Sequence, residues 1–244
     1  MERIGTLASL HRYPFKSMAG EPLQEAFVSY SGMLGDRVYA FVANPKRIWF
    51  PWMTAREGHE MLLFTPRFEQ PPDPADAHPG PARYRIEVTT PEGKVFAADS
   101  AELRQHLEQR FGRRLTLRFS ERGMHDSRPI SMFGLATLQA LSRECGTELD
   151  RRRFRANFYA EWDDPQPFYE DSLVGKRLQV GDKLSLMVVK KDARCIIITL
   201  DPDTAQGAPV VLEKVAREHK GCAGVYATVV HDGQVKPGDP IFVL

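Results

Sequence analysis

An apolar run that begins directly after a cysteine is the most informative stretch of this sequence: Asp192-Ala193-Arg194-Cys195-Ile196-Ile197-Ile198-Thr199-Leu200-Asp201-Pro202-Asp203-Thr204. Its β-branched residues predict a strand over residues 194–200 with Cys195 at the mouth. The thiolate is the form of cysteine that binds metals or attacks electrophiles, and the nearby cations Arg194, Lys190 and Lys191 would stabilise it. Most free cysteines are small buried hydrophobes, however, and the local sequence alone favours that interpretation.

Length and charge limit the classes of protein to which the chain can belong. Its 244 residues are enough for one large domain or for two of about 120 residues, each with a hydrophobic core. Charged residues make up 27% of the chain, but the net charge is only +1, which argues against a nucleic-acid-binding tail. Any basic site must therefore be local.

Targeting signals and cysteine patterns are missing from the sequence. The N-terminal residues contain no apolar signal-peptide core, and no run of eighteen apolar residues occurs, so we expect a cytoplasmic protein without a membrane span. The three cysteines, Cys145, Cys195 and Cys222, form no CxxC pair, which argues against a disulfide framework and against a closed zinc or iron–sulfur site. A bound metal would receive a single thiolate from the chain.

Hydrophobic periodicity predicts many short strands and three helices. Strands are expected over residues 3–12, 24–30, 36–42, 61–65, 83–90, 94–98, 115–119, 156–160, 183–190, 194–200, 225–230 and 241–244. Helices are expected over residues 101–111, 131–144, where Cys145 continues the apolar stripe, and 210–218. Residues 66–82 contain six prolines and predict a solvated loop. The aromatic cluster around Trp49 and Trp52 is assigned to the core.

Several polar residues lie at positions where a ligand could bind, although each also has an ordinary structural explanation. Lys16 lies on a loop after the first strand, and Arg37 lies at the entrance of another, where an ion pair with Asp36 is the simpler interpretation. Ser131 is predicted to open the second helix, whose free N–H groups could bind an anion, but a plain N-cap is the favoured interpretation. A solvated face is the default interpretation of the basic run over residues 151–155, but its last residue, Arg155, alternates with Asn157, and the two could point the same way.

Five sequence segments together resemble a known family. They are Tyr13-Pro14-Phe15-Lys16-Ser17, Gly32-Met33-Leu34-Gly35-Asp36-Arg37, Phe154-Arg155-Ala156-Asn157, the stretch from Ala193 to Thr204, and Gly238-Asp239-Pro240-Ile241. In this order they resemble MOSC proteins with an N-terminal MOSC β-barrel domain. That family includes the mitochondrial amidoxime-reducing component and the C-terminal part of molybdenum-cofactor sulfurases.

The resemblance implies a fold and a site. The fold is mainly β with flanking helices (α+β), in which an N-terminal β-barrel-like domain over residues 1–119 packs on a MOSC β-barrel domain over residues 120–244. The molybdenum cofactor (molybdopterin) would lie between them, with Cys195 as the catalytic metal ligand. The residues that would hold the pterin and its phosphate are Lys16, Ser17, Arg37, Ser131, Arg155, Asn157 and Arg194. Fixed cations and a thiolate are what a phosphate and a soft, dithiolene-bound metal require.

The resemblance also implies an activity. It implies an oxidoreductase that reduces N-hydroxylated small molecules, and because the sequence contains neither a ferredoxin domain nor a desulfurase portion, electrons would come from a separate reductase. The alternative is a cofactor carrier or sulfur-transfer module that uses a Cys195 persulfide, and a third hypothesis is a β-barrel protein that has lost the cofactor. Cys222 has no role in the family pattern, and it is either a core residue or a chance neighbour of the site.

Overall fold

The computed structural model describes residues 1–44, 50–75, 80–81 and 84–244. The strands are β1 (Glu2–Arg12), β2 (Glu21–Leu23), β3 (Ala26–Ser29), β4 (Gly32–Met33), β5 (Tyr39–Asn44), β6 (Thr65–Phe68), β7 (Ile86–Thr89), β8 (Val95–Ala97), β9 (Arg114–Phe119), β10 (Ile130–Gly134), β11 (Phe158–Trp162), β12 (Arg177–Val180), β13 (Leu184–Ala193), β14 (Cys222–His231), β15 (Gly233–Val235) and β16 (Pro240–Val243). The α-helices are α1 (Ala101–Phe111), α2 (Leu135–Cys145) and α3 (Pro209–Glu218).

Seven strands form a closed barrel. Neighbours follow the order β11, β10, β14, β13, β12, β16 and β1, and β1 pairs again with β11 to close the ring. Only β10 and β11 run parallel among these pairs. Inward side chains such as Leu10, Phe158 and Leu186 fill the interior and are fully buried. The predicted mainly β fold class is therefore confirmed.

A second core forms beside the barrel. The pair β5–β9, the sheet β6–β7–β8 and helix α1 enclose Phe41, Phe64, Leu103 and Leu107. Helix α1 begins at the predicted cap, where the Ser100 hydroxyl accepts from a backbone N–H, and it ends at a left-handed glycine. The first strand of the chain, β1, lies in the barrel, and its buried apolar side chains belong to the barrel core and not to the second core. The domain division at residue 119 remains a prediction.

Helices α2 and α3 cover the barrel from another side. Their apolar faces pack with Phe133, Phe154 and Ile198 in a third core, which Cys145 borders. The assignment of Cys145 to packing therefore fits its half-buried position. No helix in the described part of the chain is long and apolar enough to cross a membrane.

The stretch after Cys195 is not the predicted strand. Strand β13 ends at Ala193, and Ile196–Thr199 form a 3-10 turn. In a strand, residues two apart share a face, but here Ile197 and Leu200, three apart, pack on the second core while Ile198 packs in the third. A three-residue repeat is that of the 3-10 helix, so the demands of two cores override the β propensity of the isoleucines.

Other predicted boundaries also differ. Residues 61–65 belong mostly to a 3-10 helix, His59–Leu63, because Met61 and Leu62 are buried side by side. The strand expected over 36–42 begins at Tyr39, the one over 156–160 begins at Phe158, and that over 24–30 narrows to β3. Strand β6 extends into the proline-rich segment, while residues 69–75 form no helix or strand. Trp49 and the beginning of the strand expected over 83–90 lie outside the described residues.

Candidate functional site

All eight residues predicted for the site line one cavity of about 280 Å³. They are Lys16, Ser17, Arg37, Ser131, Arg155, Asn157, Arg194 and Cys195. These residues lie on the loop after β1, on the segments before β5 and β11, near the start of β10 and just after the end of β13. Residues from distant parts of the sequence are therefore brought together where the barrel meets the second core.

Backbone strain is concentrated at this cavity. Ser17, Arg37 and Arg155 have φ values of 66°, 53° and 52°, a left-handed conformation that side chains with a Cβ rarely adopt. Such conformations persist only where the surrounding structure holds them, and they accumulate at binding and catalytic sites. Half of the non-glycine residues with positive φ in the described part of the chain are therefore residues of this cavity.

Arg37 and Arg155 are held by one tyrosine and one buried carboxylate. Both guanidinium groups lie over the Tyr13 ring, 4.7 and 4.4 Å from its centroid. Asp36 accepts from the Tyr13 backbone N–H at 2.8 Å and forms an ion pair with Arg37. The ion pair expected from the sequence therefore exists, and it fixes Arg37 at the wall of the cavity.

The cation beside Cys195 comes from the other half of the chain. Arg56 Nε donates to Cys195 Sγ at 3.4 Å, and Asp126 accepts from both Arg56, at 3.2 Å, and Lys16, at 2.5 Å. Attraction to Lys16 and Arg56 outweighs partial desolvation and lowers the pKa of Asp126, so this carboxylate stays ionised between them. Asp126 thus links Lys16, a predicted site residue, to Arg56, which contacts the thiol.

The three cations expected beside Cys195 have other contacts. Lys191 is exposed and bonds Asp171 at 2.7 Å, while the Lys190 ammonium lies 5.8 Å from the Tyr226 ring. Arg194 donates to the carbonyl oxygens of Ala223 and Phe154, at 2.7 and 2.8 Å. Among the described residues the hydrogen-bond donor to the thiol is therefore Arg56, while β13 carries Lys191 outward and Arg194 joins the β14 segment to Phe154.

Ser131 reaches the cavity without capping a helix. It lies in β10, where its N–H and hydroxyl both donate to Asn157 Oδ1 at 3.2 and 3.1 Å. Helix α2 begins four residues later, and its first N–H groups lie near the buried carboxylate of Glu170, which accepts from Gly134 N and Thr137 Oγ1, both at 3.0 Å. The predicted anion site at this helix N-terminus is therefore wrong, since a carboxylate of the chain already occupies it.

The cavity has an excess of positive charge. Among the described residues, eight lysine or arginine side chains line it, against the two carboxylates Asp126 and Asp192. Asp36 and Asp201 pair with Arg37 and Arg153 from outside. Arg155 has no carboxylate partner in the described chain, and its buried Nη2 has no hydrogen-bond acceptor. Burial, together with repulsion from Arg37, lowers the pKa of Arg155 to about 10, so a bound anion would relieve both costs.

The donor set fits a phosphate-bearing cofactor with a soft metal. Arg155 supplies an unsatisfied buried N–H, and of the three cysteines, all described, only Cys195 lines the cavity. Cys222 pairs with Ala193 at the start of β14, close to the site in the sheet but outside the cavity lining. Cationic N–H donors are suited to phosphate and a thiolate is suited to a soft metal.

Several residues of the cavity were not identified from the sequence. Arg56, His125, Asp126, Asp192 and Tyr226 all line it. Arg56 follows the aromatic cluster, and His125 and Asp126 lie in a polar connection without periodicity. Asp192 is the first residue of the stretch that contains Cys195, and its carboxylate lies 2.9 Å from Arg194 Nη2. A sequence signal existed only for Asp192, as a neighbour of the Arg-Cys pair.

Family models match nearly the whole chain. A model of the MOSC N-terminal beta barrel domain matches residues 4–118, and a model of the MOSC domain matches residues 97–242. The chain belongs to the MOSC family. The MOSC family is associated with the molybdenum cofactor, in agreement with the character of the cavity. The resemblance found in the sequence is therefore confirmed.

A solved structure resembles this MOSC chain in fold. The YuaD protein from Bacillus subtilis is 15% identical, with a TM-score of 0.52 over 98% of this chain and 94% of that one. YiiM from Geobacillus stearothermophilus and YiiM from Escherichia coli are 16% and 14% identical, cover 48% of this MOSC chain and 54% and 55% of their own, and give TM-scores of 0.38 and 0.36. No match to a curated protein was found.

Proposed function

We propose that the cavity binds the molybdenum cofactor and that the protein reduces N-hydroxylated small molecules with electrons from a separate reductase. The single observation that supports this most is the convergence of Cys195 with the seven other predicted cofactor residues on one cavity. These residues come from segments up to 179 positions apart in the sequence, between Lys16 and Cys195. Their meeting at one site is what a cofactor bound between the barrel and the second core requires.

Each predicted residue has a contact chemistry that suits its proposed role. Cys195 would supply the thiolate ligand, and Arg155 and Arg37, held on Tyr13, would bind the phosphate. Asn157 and Ser131 orient one another and would present polar atoms to the pterin. When bound, the cofactor supplies the two-electron redox chemistry, in which an N–O bond is cleaved with two protons and two electrons to release water.

The protein would contribute positioning and charge. Arg56 donates to the Cys195 sulfur, and Asp126 keeps Arg56 and Lys16 in place. Because the cavity is half enclosed between two cores, substrates would enter a site from which much of the water is excluded, and charge interactions there are stronger than in open water.

The test is cofactor content. Protein expressed with cofactor biosynthesis intact should contain molybdenum and pterin in near-equimolar amount, measured by elemental analysis and by fluorescence of the released pterin. Arg155→Glu should lose most of both, because it replaces the unpaired cation with a charge that repels phosphate. Arg152→Glu is the matched control, since Arg152 is exposed and pairs with Asp150 and Asp203.

The sulfur-transfer alternative gives a different result. In that case the purified protein would lack molybdenum, and incubation with a cysteine desulfurase would place a cyanide-labile persulfide on Cys195. Equal molybdenum content in Arg155→Glu and Arg152→Glu would contradict the assignment of Arg155 to the phosphate.

A further inference from the structure

A second cavity, of about 420 Å³, adjoins the first and shares Arg153, Arg155 and Ile197 with it. Five arginines line it, and we refer to it as the arginine cavity: Arg67, Arg151, Arg152, Arg153 and Arg155. Its volume lies in the range of small-molecule sites, roughly 300–1,000 Å³. Of the residues that line this cavity alone, the proposed function uses only Tyr13, whose ring holds Arg37 and Arg155.

Two of the five arginines have no neutralising partner. Arg152 pairs with Asp150 and Asp203, and Arg153 pairs with Asp201. Arg151 instead donates to the Ser9 hydroxyl at 3.2 Å, and within the described residues neither it nor Arg155 forms an ion pair with a carboxylate. Uncompensated cations at one cavity wall produce a local potential that attracts anions.

Buried hydrogen-bonding atoms at the same cavity lack partners. His11 is only 5% exposed, yet its Nδ1 makes no hydrogen bond to any described residue, and the same holds for Arg153 Nε and Arg155 Nη2. Burial and the charge of Arg151 lower the pKa of His11 to about 4, so the imidazole is neutral near pH 7. Buried polar atoms without partners are rare in folded proteins, and a missing ligand is one of the few explanations for a group of them.

Apart from Asp150, whose carboxylate pairs with Arg152, and the Tyr13 ring, the rest of the cavity wall is apolar. Leu62, Leu200 and Ile197 lie there together with Pro22 and Pro202. A bare inorganic anion would leave this surface uncovered, whereas a ligand with an anionic head and an apolar or planar body would contact both walls. A phosphate ester has this combination of groups, and arginine forks bind its oxygens through pairs of N–H bonds.

We propose that the arginine cavity binds the phosphate group of a small phosphate ester, with Arg151 and Arg155 as its cations and His11 as a hydrogen-bonding partner. The phosphate ester is a small molecule separate from the cofactor proposed for the neighbouring site, although Arg155 lies on both cavities. The proposal goes beyond the reductase function, since binding to this cavity requires no molybdenum.

The first experiment titrates cofactor-free protein with inorganic phosphate and with adenosine monophosphate by calorimetry. Saturable binding of the ester is expected, at least tenfold tighter than that of inorganic phosphate. Arg151→Gln should weaken it at least tenfold and Arg67→Gln severalfold, and the exposed position of Arg67 makes that variant safe for folding. Arg118→Gln, an exposed arginine on β9 outside both cavities, is the matched control and should bind like the wild type.

Two results of this first titration would overturn the proposal. One is the absence of saturable binding to the wild-type protein. The other is binding that survives Arg151→Gln and Arg67→Gln but is lost in Lys16→Gln, because Lys16 lines only the first cavity. Thermal unfolding of each variant without ligand shows whether a loss of binding reflects a loss of fold.

The same titration on cofactor-loaded protein identifies the source of the phosphate. Binding that persists, with molybdenum content unchanged by Arg151→Gln, assigns the cavity to a separate phosphate ester. Binding that disappears on loading, with pterin content reduced by Arg151→Gln, assigns it to the phosphate of the cofactor. The first result supports the proposal and the second overturns it, whereas failure of cofactor loading would count against the reductase function and leave the first titration valid.

Discussion

Arg37 donates from Nη2 to the backbone carbonyl of Arg155 at 3.1 Å, across 118 positions of sequence. The same two residues share the Tyr13 ring and the left-handed backbone conformation. Two like charges are thus held side by side by a ring, a carbonyl and the carboxylate of Asp36. The two guanidinium groups repel each other in the free protein, but they are already placed to bind an anion, which would interact with both without any rearrangement.

Replacement of Cys195 by alanine should abolish activity without unfolding the protein. The side chain is only half-buried, so its removal leaves little cavity, but the metal would lose its soft ligand. We expect reduction of benzamidoxime by an artificial electron donor to fall to background while the thermal midpoint changes by a few degrees at most.

Cys145→Ala and Cys222→Ala are the controls for this experiment, since neither sulfur lines the cavity. Both should keep most of the activity. A Cys195→Ala protein that still reduced the substrate would exclude the sulfur as a required ligand.

Arg56 should control the reactivity of the Cys195 thiol. Its Nε hydrogen bond to Sγ stabilises the thiolate, and because the Arg56 side chain is about one-third exposed, we expect a modest effect of about 1 kcal/mol, or about fivefold. Arg56→Gln should slow alkylation of Cys195 by iodoacetamide by that factor in cofactor-free protein, followed by mass spectrometry of the Cys195 peptide.

Arg56→Lys keeps the positive charge and should lie between the wild type and Arg56→Gln. The alkylation rates of Cys145 and Cys222 serve as internal references in each sample. An unchanged rate at Cys195 in Arg56→Gln would mean that the contact does not stabilise the thiolate.

Gly224 should tolerate no side chain. Its φ is +80°, and an added Cβ would lie 2.7 Å from the Met132 carbonyl oxygen and 3.1 Å from Arg194 Nη2. Gly224→Ala should cost about 1–2 kcal/mol of backbone strain and about 1–3 kcal/mol of overpacking, and should displace Arg194. Thermal or urea unfolding measures this loss.

Gly221→Ala provides the comparison three residues earlier. Its φ is +74°, but nothing lies within 4 Å of the added Cβ, so only the backbone strain remains. Equal losses of stability in the two variants would mean that the close packing around Gly224 relaxes freely.

Asp126 should stabilise the protein in a pH-dependent manner. Its pKa in the folded state lies below the ordinary value of 3.8, because attraction from Lys16 and Arg56 outweighs the effect of burial. A depressed pKa means that the stabilisation is present above pH 3.8 and is lost as the pH falls through the folded pKa. The difference in unfolding free energy between wild type and Asp126→Asn should be constant from pH 8 to 5 and shrink below pH 4.

The side chain of Asp126 is partly exposed, so the size of this difference will depend on salt. Asp182→Asn, at an exposed turn, controls for general effects of acid on the chain. A difference that grows as the pH falls would show that the Lys16–Asp126–Arg56 linkage does not stabilise the folded state.

The sequence is sufficient to predict the residues that the family signature contains. Cys195, Lys16 and Arg155 follow strands or lie in short fixed segments, so their neighbourhood could be inferred once the order of the segments resembled a known family. The fold class follows from strand periodicity and from the glycine turns. Helix α3 and the cap of helix α1 follow from local rules alone.

The site residues and boundaries that the sequence does not predict depend on tertiary structure. Arg56 contacts Cys195 across 139 positions, and no local pattern marks it. Ser131 was placed on a helix because the apolar spacing continues through residues 131–144, yet pairing with β11 and β14 extends the strand, and Glu170 meets the helix N-terminus from outside. Long-range hydrogen bonds decide such positions, and a single sequence does not display them.

The 3-10 turn after Cys195 has a mechanical consequence. Ile197 and Leu200 are anchored in the core of the N-terminal part, and Ile198 is anchored in the core beneath helices α2 and α3. The segment that follows Cys195 is therefore packed into both cores. A shift of one core relative to the other would change the distance between the Cys195 sulfur and Arg155. The position of the thiol thus depends on how the two cores are placed relative to each other, and substitutions far from the cavity can change it.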